Sequence, residues 1–330
     1  MKEILTHLFN KNILSKQEAK DVLLQVGQGK YSDPEIASFL TVYLMRPIHP
    51  DELSGFRDAL LELCVPVNLF EYDTIDVCGT GGDEKNTFNI STLTAFVLAG
   101  ADLKLVKHGN YGVSSSCGSS NILEYLGYKF SNDNNKLRKE IEEANICYLH
   151  APMFHPSMKY VGPVRKSLKL KTFFNLLGPM VNPAKPQNQM VGVFNEEVLE
   201  LYHGVYSKSG VNYILLYSLD GYDEISLTGS FRAVSGTEDK IYTPDSLGLV
   251  KVMPEELFGG NTVNEAAKIF IDILEGNGTS AQNSVVTANA GFAIKCYKDD
   301  ASLQDCILAA KASLESKNAL KAMKKLIALQ

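Results

Sequence analysis

The chain has 330 residues, 45% of them hydrophobic and 21% charged, with a net charge of −6 and a pI near 5.6. That is enough to bury a sizeable core in two domains, and the acidic balance excludes a general nucleic-acid binder. Six scattered cysteines without CxxC spacing exclude a zinc site or a disulfide framework, and the longest apolar run, near Leu93 to Ala101, excludes a membrane span; with no signal-peptide pattern at the N-terminus, a cytoplasmic protein is expected.

From Lys2 to Cys64 apolar residues recur at helical spacing, as in Val22, Leu23 and Val26, then Ile36, Phe39, Leu40, Tyr43 and Leu44. Ser15-x-x-Glu18 fits a capping box, and Asp33–Pro34 fits a helix start with proline at the first helical position. The pattern predicts a small all-helical N-terminal domain over residues 1–70, with Pro66 to Asp73 as linker. Beyond it, strands are predicted near Thr74–Val77, Leu103–Val106, Ile146–Leu149 and Tyr213–Tyr217, alternating with helices. That is the signature of a larger α/β domain over 71–330 with a mostly parallel central sheet, ending in helices from about Ser302.

The first strand runs into D-V-C-G-T-G-G-D-E-K-N-T-F-N-I-S-T, Asp76 to Thr92. Glycines at 79, 81 and 82 permit positive φ and close approach to a ligand, while Asn89, Ser91 and Thr92 stand where a helix N-terminus leaves its N–H groups free. This reads as a phosphate cradle. It is no P-loop, because Gly82 is followed by Asp83 and Glu84 instead of Lys and Ser or Thr, and no dinucleotide fingerprint, because the sixth position from Gly79 is Glu84. A carboxylate such as Asp83 beside phosphates needs a sugar hydroxyl, an amide or a metal ion. The second strand runs into K-H-G-N-Y-G-V-S-S-S-C-G-S-S-N, Lys107 to Asn121, predicted as a loop. Lys107 offers a cation, Ser114, Ser115 and Ser116 offer hydroxyls, and Gly118–Ser119 opens another helix. Two such loops at the carboxyl ends of parallel strands suit a polyphosphate.

These segments closely resemble the anthranilate phosphoribosyltransferases of tryptophan biosynthesis, within the two-domain nucleoside phosphorylase/phosphoribosyltransferase superfamily. The shared motifs are GTGGD (Gly79 to Asp83), TFNIST (Thr87 to Thr92), KHGN (Lys107 to Asn110), Gly118–Ser119, HPSMKYVGPVRKSL (His155 to Leu168), FNLLGPMVNPA (Phe174 to Ala184) and the acids of GYDEIS, Asp223 and Glu224. The resemblance implies transfer of the phosphoribosyl group of phosphoribosyl pyrophosphate (PRPP) to the amine of anthranilate. It implies PRPP contacts from Gly79, Gly82, Asp83, Thr87, Asn89, Ile90, Ser91, Thr92, Lys107, Ser114, Ser115 and Ser119. Anthranilate contacts are implied from Gly79, His108, Asn110, Arg165, Gly178 and Pro179, and two Mg²⁺ ions bound with PRPP from Ser91, Asp223 and Glu224. It further implies a homodimer through the helical domain, which residues of about 165–184 rejoin, leaving the cleft between the domains.

The amine of anthranilate is neutral at pH 7, so no acid or base is assigned; His108 is a weak candidate beside the plainer reading of a positioned histidine. The basic run Lys159, Arg165, Lys166, Lys169 and Lys171 suits the mouth of an acidic substrate's site. Against the family pattern stand Glu84 for glycine, Tyr111 and Gly112 for arginine and a small residue, Ser120–Asn121 for Ala-Asp, and Lys171 for arginine. Two other functions fit the same plan: a pyrimidine-nucleoside phosphorylase, and a non-catalytic relative that binds another polyanion such as nucleic acid. Neither a nucleic acid nor a membrane is an expected partner.

Overall fold

The computed structural model describes residues 1–112 and 117–330. The N-terminal part is helical: α1 (Lys2–Phe9), α2 (Lys16–Gly27), α3 (Asp33–Met45) and α4 (Pro50–Leu63). The expected capping box forms, with Glu18 N donating to Ser15 Oγ at 3.3 Å and Ser15 N donating to the Glu18 carboxylate at 2.8 Å. Helix α3 is capped one residue before the Asp33–Pro34 start, by Ser32, whose N donates to Glu35 at 2.9 Å. The box at α4 turns inward. Glu52 is fully buried, accepting from His49 N and Leu14 N at 3.0 Å each and from the Tyr43 hydroxyl at 3.1 Å beside the Arg46 guanidinium.

The core under these helices is aromatic and is completed from far along the chain. Phe173 stacks on Phe56 with ring centroids 4.5 Å apart and meets Tyr43 edge-on at 5.2 Å. It lies between two short helices, α9 (Gly162–Leu168) and α10 (Phe174–Leu177), which follow a single turn, α8 (Ala151–Phe154). Val161, Val164, Leu177, Met180 and Val181 join the same cluster. The cluster then runs on to Val191 and Leu215 on the sheet and to Val193, Leu199 and Tyr202 beyond it.

The sheet comprises β1 (Ile75–Gly79), β2 (Leu105–Gly109), β3 (Ile146–His150), β4 (Asn188–Gly192), β5 (Asn212–Ser218), β6 (Phe231–Ser235) and β7 (Asp239–Tyr242), in the spatial order β3-β2-β1-β4-β5-β6-β7. The first five are parallel, and β6 and β7 add an antiparallel edge. Strands β1 and β2 end later than predicted, since Cys78 and Gly79 pair with Val191 and Gly192, and Lys107 and His108 pair with Tyr148 and Leu149. Lys107 and His108 therefore belong to a strand, not to a loop. Between strands run α5 (Ile90–Gly100), α6 (Ser119–Tyr125), α7 (Asn134–Ala144) and α11 (Glu196–Tyr206). The C-terminal helices begin well before Ser302: α12 (Val263–Leu274) and α13 (Ser280–Tyr297) precede α14 (Leu303–Glu315) and α15 (Asn318–Ala328). Helix α5, the long apolar run, is buried from Thr92 to Ala99 against α13, α14 and α15. Among the described residues, no helix is long and apolar enough to cross a membrane.

Candidate active site

Strands β1 and β4 are neighbours, yet the chain leaves β1 towards β2 and β3 before it returns to β4. This is a topological switch point, where open α/β sheets leave a crevice beyond the carboxyl ends of their strands. A cavity of about 800 Å³ occupies it. Gly79, Gly82, Asp83, Thr87, Asn89, Ile90, Ser91, Thr92, Lys107, His108, Asn110, Ser119, Asp223 and Glu224 line it, as do Tyr43, Leu44 and Ile48 of the helical part and Lys171, Phe173 and Asn175. Arg165, Gly178 and Pro179 are not among its lining residues. Ser114 and Ser115 lie outside the described residues.

The three glycines do different jobs. Gly81 and Gly82 have φ of +70° and +85°, as a tight turn requires. Gly79 instead ends strand β1 without left-handed backbone, and its missing side chain serves packing: a Cβ there would lie 2.2 Å from Asp223 Oδ2. A Cβ at Gly192 would lie 1.7 Å from the Asp223 carbonyl oxygen. The two glycine strand ends thus admit Asp223 into the switch point, where its Oδ2 accepts from Gly81 N at 2.6 Å. Asn89 Nδ2, at the start of α5, donates to Cys117 O at 3.0 Å and ties the two loops together.

Charge is concentrated here. Burial, then the nearby Asp83 and Glu224 carboxylates, hold Asp223 well above the usual carboxylate range. Glu224 is pushed up to about 7 by burial and by Asp83, against the pull of Lys107 and hydrogen bonds from Ser91. Lys107 is itself buried, with Nζ donating to Val77 O at 2.6 Å and to Ser91 Oγ at 3.3 Å. Such a cluster of acids favours a cation at its centre. Yet among the described residues no three His, Cys, Asp or Glu side chains are arranged to hold a metal ion alone. The donors present, two carboxylates beside the Ser91 hydroxyl, fit Mg²⁺, which takes one or two carboxylates and completes its octahedron with substrate oxygens and water.

The other wall carries histidines. His108 is buried in β2, pushed down to about 3 by burial and by His155, whose ring centroid is 5.2 Å away; the Gly178 backbone pulls the other way. His155 is pushed down to about 4 by burial, against a weaker pull from the Val181 backbone, and neither ring nitrogen makes a well-formed hydrogen bond among the described residues. Arg165 Nη2 donates to Asn175 Oδ1 at 3.2 Å and its guanidinium lies 5.3 Å from the centre of the Phe174 ring. Asn175 Oδ1 also accepts from Thr172 N at 3.0 Å, so Arg165 stands one residue back from the cavity. Arg165 Nε and Thr172 Oγ1 are buried without partners among the described residues. Pro179 turns away, its carbonyl accepting from Gln189.

Family models match along nearly the whole chain: a glycosyl transferase family helical bundle domain over residues 2–64 and the glycosyl transferase family a/b domain over 71–320. The anthranilate phosphoribosyltransferase of Cytophaga hutchinsonii is 53% identical over 99% of this chain and 100% of its own length. That of Bacteroides thetaiotaomicron is 50% identical over 100% and 99%. This chain belongs to the anthranilate phosphoribosyltransferase family. The crystal structure of the Thermus thermophilus family member superposes with a TM-score of 0.93 at 30% identity, covering 98% of each chain. The Saccharomyces cerevisiae member, solved in complex with PRPP and Mg, shares the fold with a TM-score of 0.90 at 24% identity, over 98% of this chain and 96% of its own.

Tyr111 and Gly112, which follow the KHGN motif, have visible surroundings. Tyr111 donates from its hydroxyl to Glu124 at 3.2 Å and its ring lies 4.9 Å from that of His150, while Gly112 N donates to Asn121 Oδ1 at 3.1 Å. One unit escaped sequence reasoning. Asp76, fully buried in β1, accepts from His108 N at 3.3 Å and from Asn182 Nδ2 at 2.9 Å, and Asn182 also donates to Val106 O at 2.8 Å. Burial pushes Asp76 up to about 6 against the pull of Lys107. Asp76 thereby fastens the segment bearing Gly178 to the strand bearing Lys107 and His108. The only signal was its place three residues before Gly79.

Proposed function

We propose that this chain carries out the reaction its family is named for, transferring the phosphoribosyl group of PRPP to the amine of anthranilate with release of pyrophosphate. The observation that carries it is the meeting, at one switch point, of a glycine turn, a buried lysine and three carboxylates. The α5 and α6 N-termini, Gly81, Gly82, Asn89, Ser91, Thr92 and Ser119 hold the phosphates and Lys107 supplies fixed positive charge. Asp83, beside them, would take a ribose hydroxyl, a backbone amide or a metal ion.

Ser91, Asp223 and Glu224 would hold Mg²⁺, two ions in our reading, and a bound ion would supply positive charge against the diphosphate. The acceptor's carboxylate is held by Arg165, through or in place of its contact with Asn175, and the ring and amine by Asn110, His108 and Gly178 with Gly79 beneath. His108 stays neutral at working pH and is assigned to orientation, since a group with a pKa near 3 is a poor proton shuttle at neutral pH. Catalysis is then positioning of two bound reactants and stabilisation of leaving-group charge.

Residues 1–70 together with about 165–184 form, in this reading, the body that closes on the α/β domain of 71–330. The exposed apolar side chains Phe9, Ile13 and Met45 on the helical domain, 66%, 48% and 84% exposed, support a homodimer through it. A cytoplasmic setting belongs to the same proposal and suits six free thiols. The test is to mix protein, PRPP and Mg²⁺ with anthranilate and follow its fluorescence. Loss of signal that requires all components supports the assignment, and no loss at any concentration refutes it.

A further inference from the structure

Between α9 and α10 the backbone next to Phe173 is anchored in the aromatic core, but the Lys171 side chain crosses the cavity. Its Nζ donates to Gly82 O at 3.1 Å and to Glu84 Oε1 at 3.0 Å, so one ammonium joins the helical wall to the glycine turn. Both side chains are mostly in water, 59% and 77% exposed, where an ion pair contributes little. Glu84 meanwhile holds φ at +60°, a left-handed backbone that costs a side-chain-bearing residue at least as much as such a pair contributes. Stability does not explain the contact.

Its position does. Lys171 lines the same cavity as Gly82, Asp83, Ser91 and the buried Lys107. We propose that Lys171 is a further substrate-binding residue of the phosphoribosyl pyrophosphate site and that Glu84 occupies it, as a built-in anion, until the substrate's phosphates arrive. This rests on the PRPP reading above. The ammonium is a compact charge with rotatable donors, so it can exchange one oxygen partner for another without the fixed geometry a guanidinium fork demands. A diphosphate carries more charge than one carboxylate and displaces it, while the released Glu84 is hydrated in solvent. Glu84 is therefore a positioning residue: it holds Lys171 across the cleft and makes the site less receptive to weakly charged anions.

The experiment is calorimetric titration of PRPP with Mg²⁺, at low and high salt, into the wild-type chain, Lys171→Ala, Lys171→Arg, Glu84→Gln and the Lys171→Ala/Glu84→Gln pair. Removing a charge-assisted contact should weaken PRPP about tenfold in Lys171→Ala and flatten the salt dependence, whereas Lys171→Arg should restore most of the affinity. Removing the competitor should tighten PRPP about two- to fivefold in Glu84→Gln, and only while Lys171 is present. The proposal is overturned if Lys171→Ala binds PRPP like the wild type, or if Glu84→Gln changes affinity equally with and without Lys171. A wild-type chain that takes up no PRPP at all overturns the parent reading and this one with it.

Discussion

Replacing Gly79 by alanine tests the claim that this glycine exists to admit Asp223. The added Cβ would sit 2.2 Å from Asp223 Oδ2, 2.7 Å from its Cγ and 3.0 Å from its backbone oxygen, against ordinary contacts of 3.4–4 Å. The carboxylate must retreat by about 1 Å, and its backbone cannot follow, being wedged over Gly192. Retreat breaks the 2.6 Å hydrogen bond from Gly81 N. A hydrogen bond to a charged group is worth about 1.5–3 kcal/mol, and a catalytic group displaced by about 1 Å costs about 100-fold in rate. We expect turnover to fall about 100-fold, with a higher Mg²⁺ requirement, while thermal unfolding in the absence of metal shifts by only a few degrees. Gly82→Ala is the control. A Cβ there meets nothing nearer than Lys171 Nζ at 3.7 Å, so its cost is backbone strain at positive φ and its Mg²⁺ dependence should stay that of the wild type. Wild-type Mg²⁺ dependence in Gly79→Ala would refute the reasoning.

Arg165→Ala should raise the KM for anthranilate about tenfold or more and change that for PRPP little, and steady-state kinetics showing equal effects would count against the acceptor assignment. The double amide variant Asp223→Asn/Glu224→Gln keeps shape and removes charge, so the Mg²⁺ concentration for half-maximal turnover should rise about tenfold or more; an unchanged titration would reduce the pair to a structural role. His155 is a base whose folded-state pKa, about 4, lies below the ordinary 6.5, so the unfolded chain binds more protons in that window and stability falls as pH drops from 6.5 towards 4. Denaturant unfolding of His155→Gln should therefore improve relative to the wild type by about 2 kcal/mol between pH 7.5 and pH 5, and a constant difference would disprove a buried neutral imidazole.

The helical part was legible because Ser15 and Glu18 write their own cap and because the apolar spacing there is unbroken. Four strands were legible as short apolar runs. Strand β4 was not, since it opens on two polar residues, Asn188 and Gln189; both are buried and satisfied by partners outside the strand, Asn188 Nδ2 donating to Asp73 at 2.8 Å and Gln189 to Pro179. The edge strand β7 exposes three of its four residues and carries no apolar run. In the site, glycines beside hydroxyls announced the phosphate side. Sequence spacing cannot show that Arg165 reaches the cavity through Asn175, nor that a carboxylate more than a hundred positions away is what Gly79 makes room for; both are facts of tertiary packing.

The insertion of Phe173 into the N-terminal aromatic cluster bears on how the protein is made. Domains that lie first in the chain ordinarily fold first, while the rest is still being synthesised. Here helices α1 to α4 emerge without the ring that stacks on Phe56, and without Val161, Val164, Leu177 and Met180, which share their core. A nascent chain halted before this segment would hold its helices around an unfilled apolar hollow, loosely packed and open to protease. The N-terminal helices must wait for the middle of the chain, and only then can they lock.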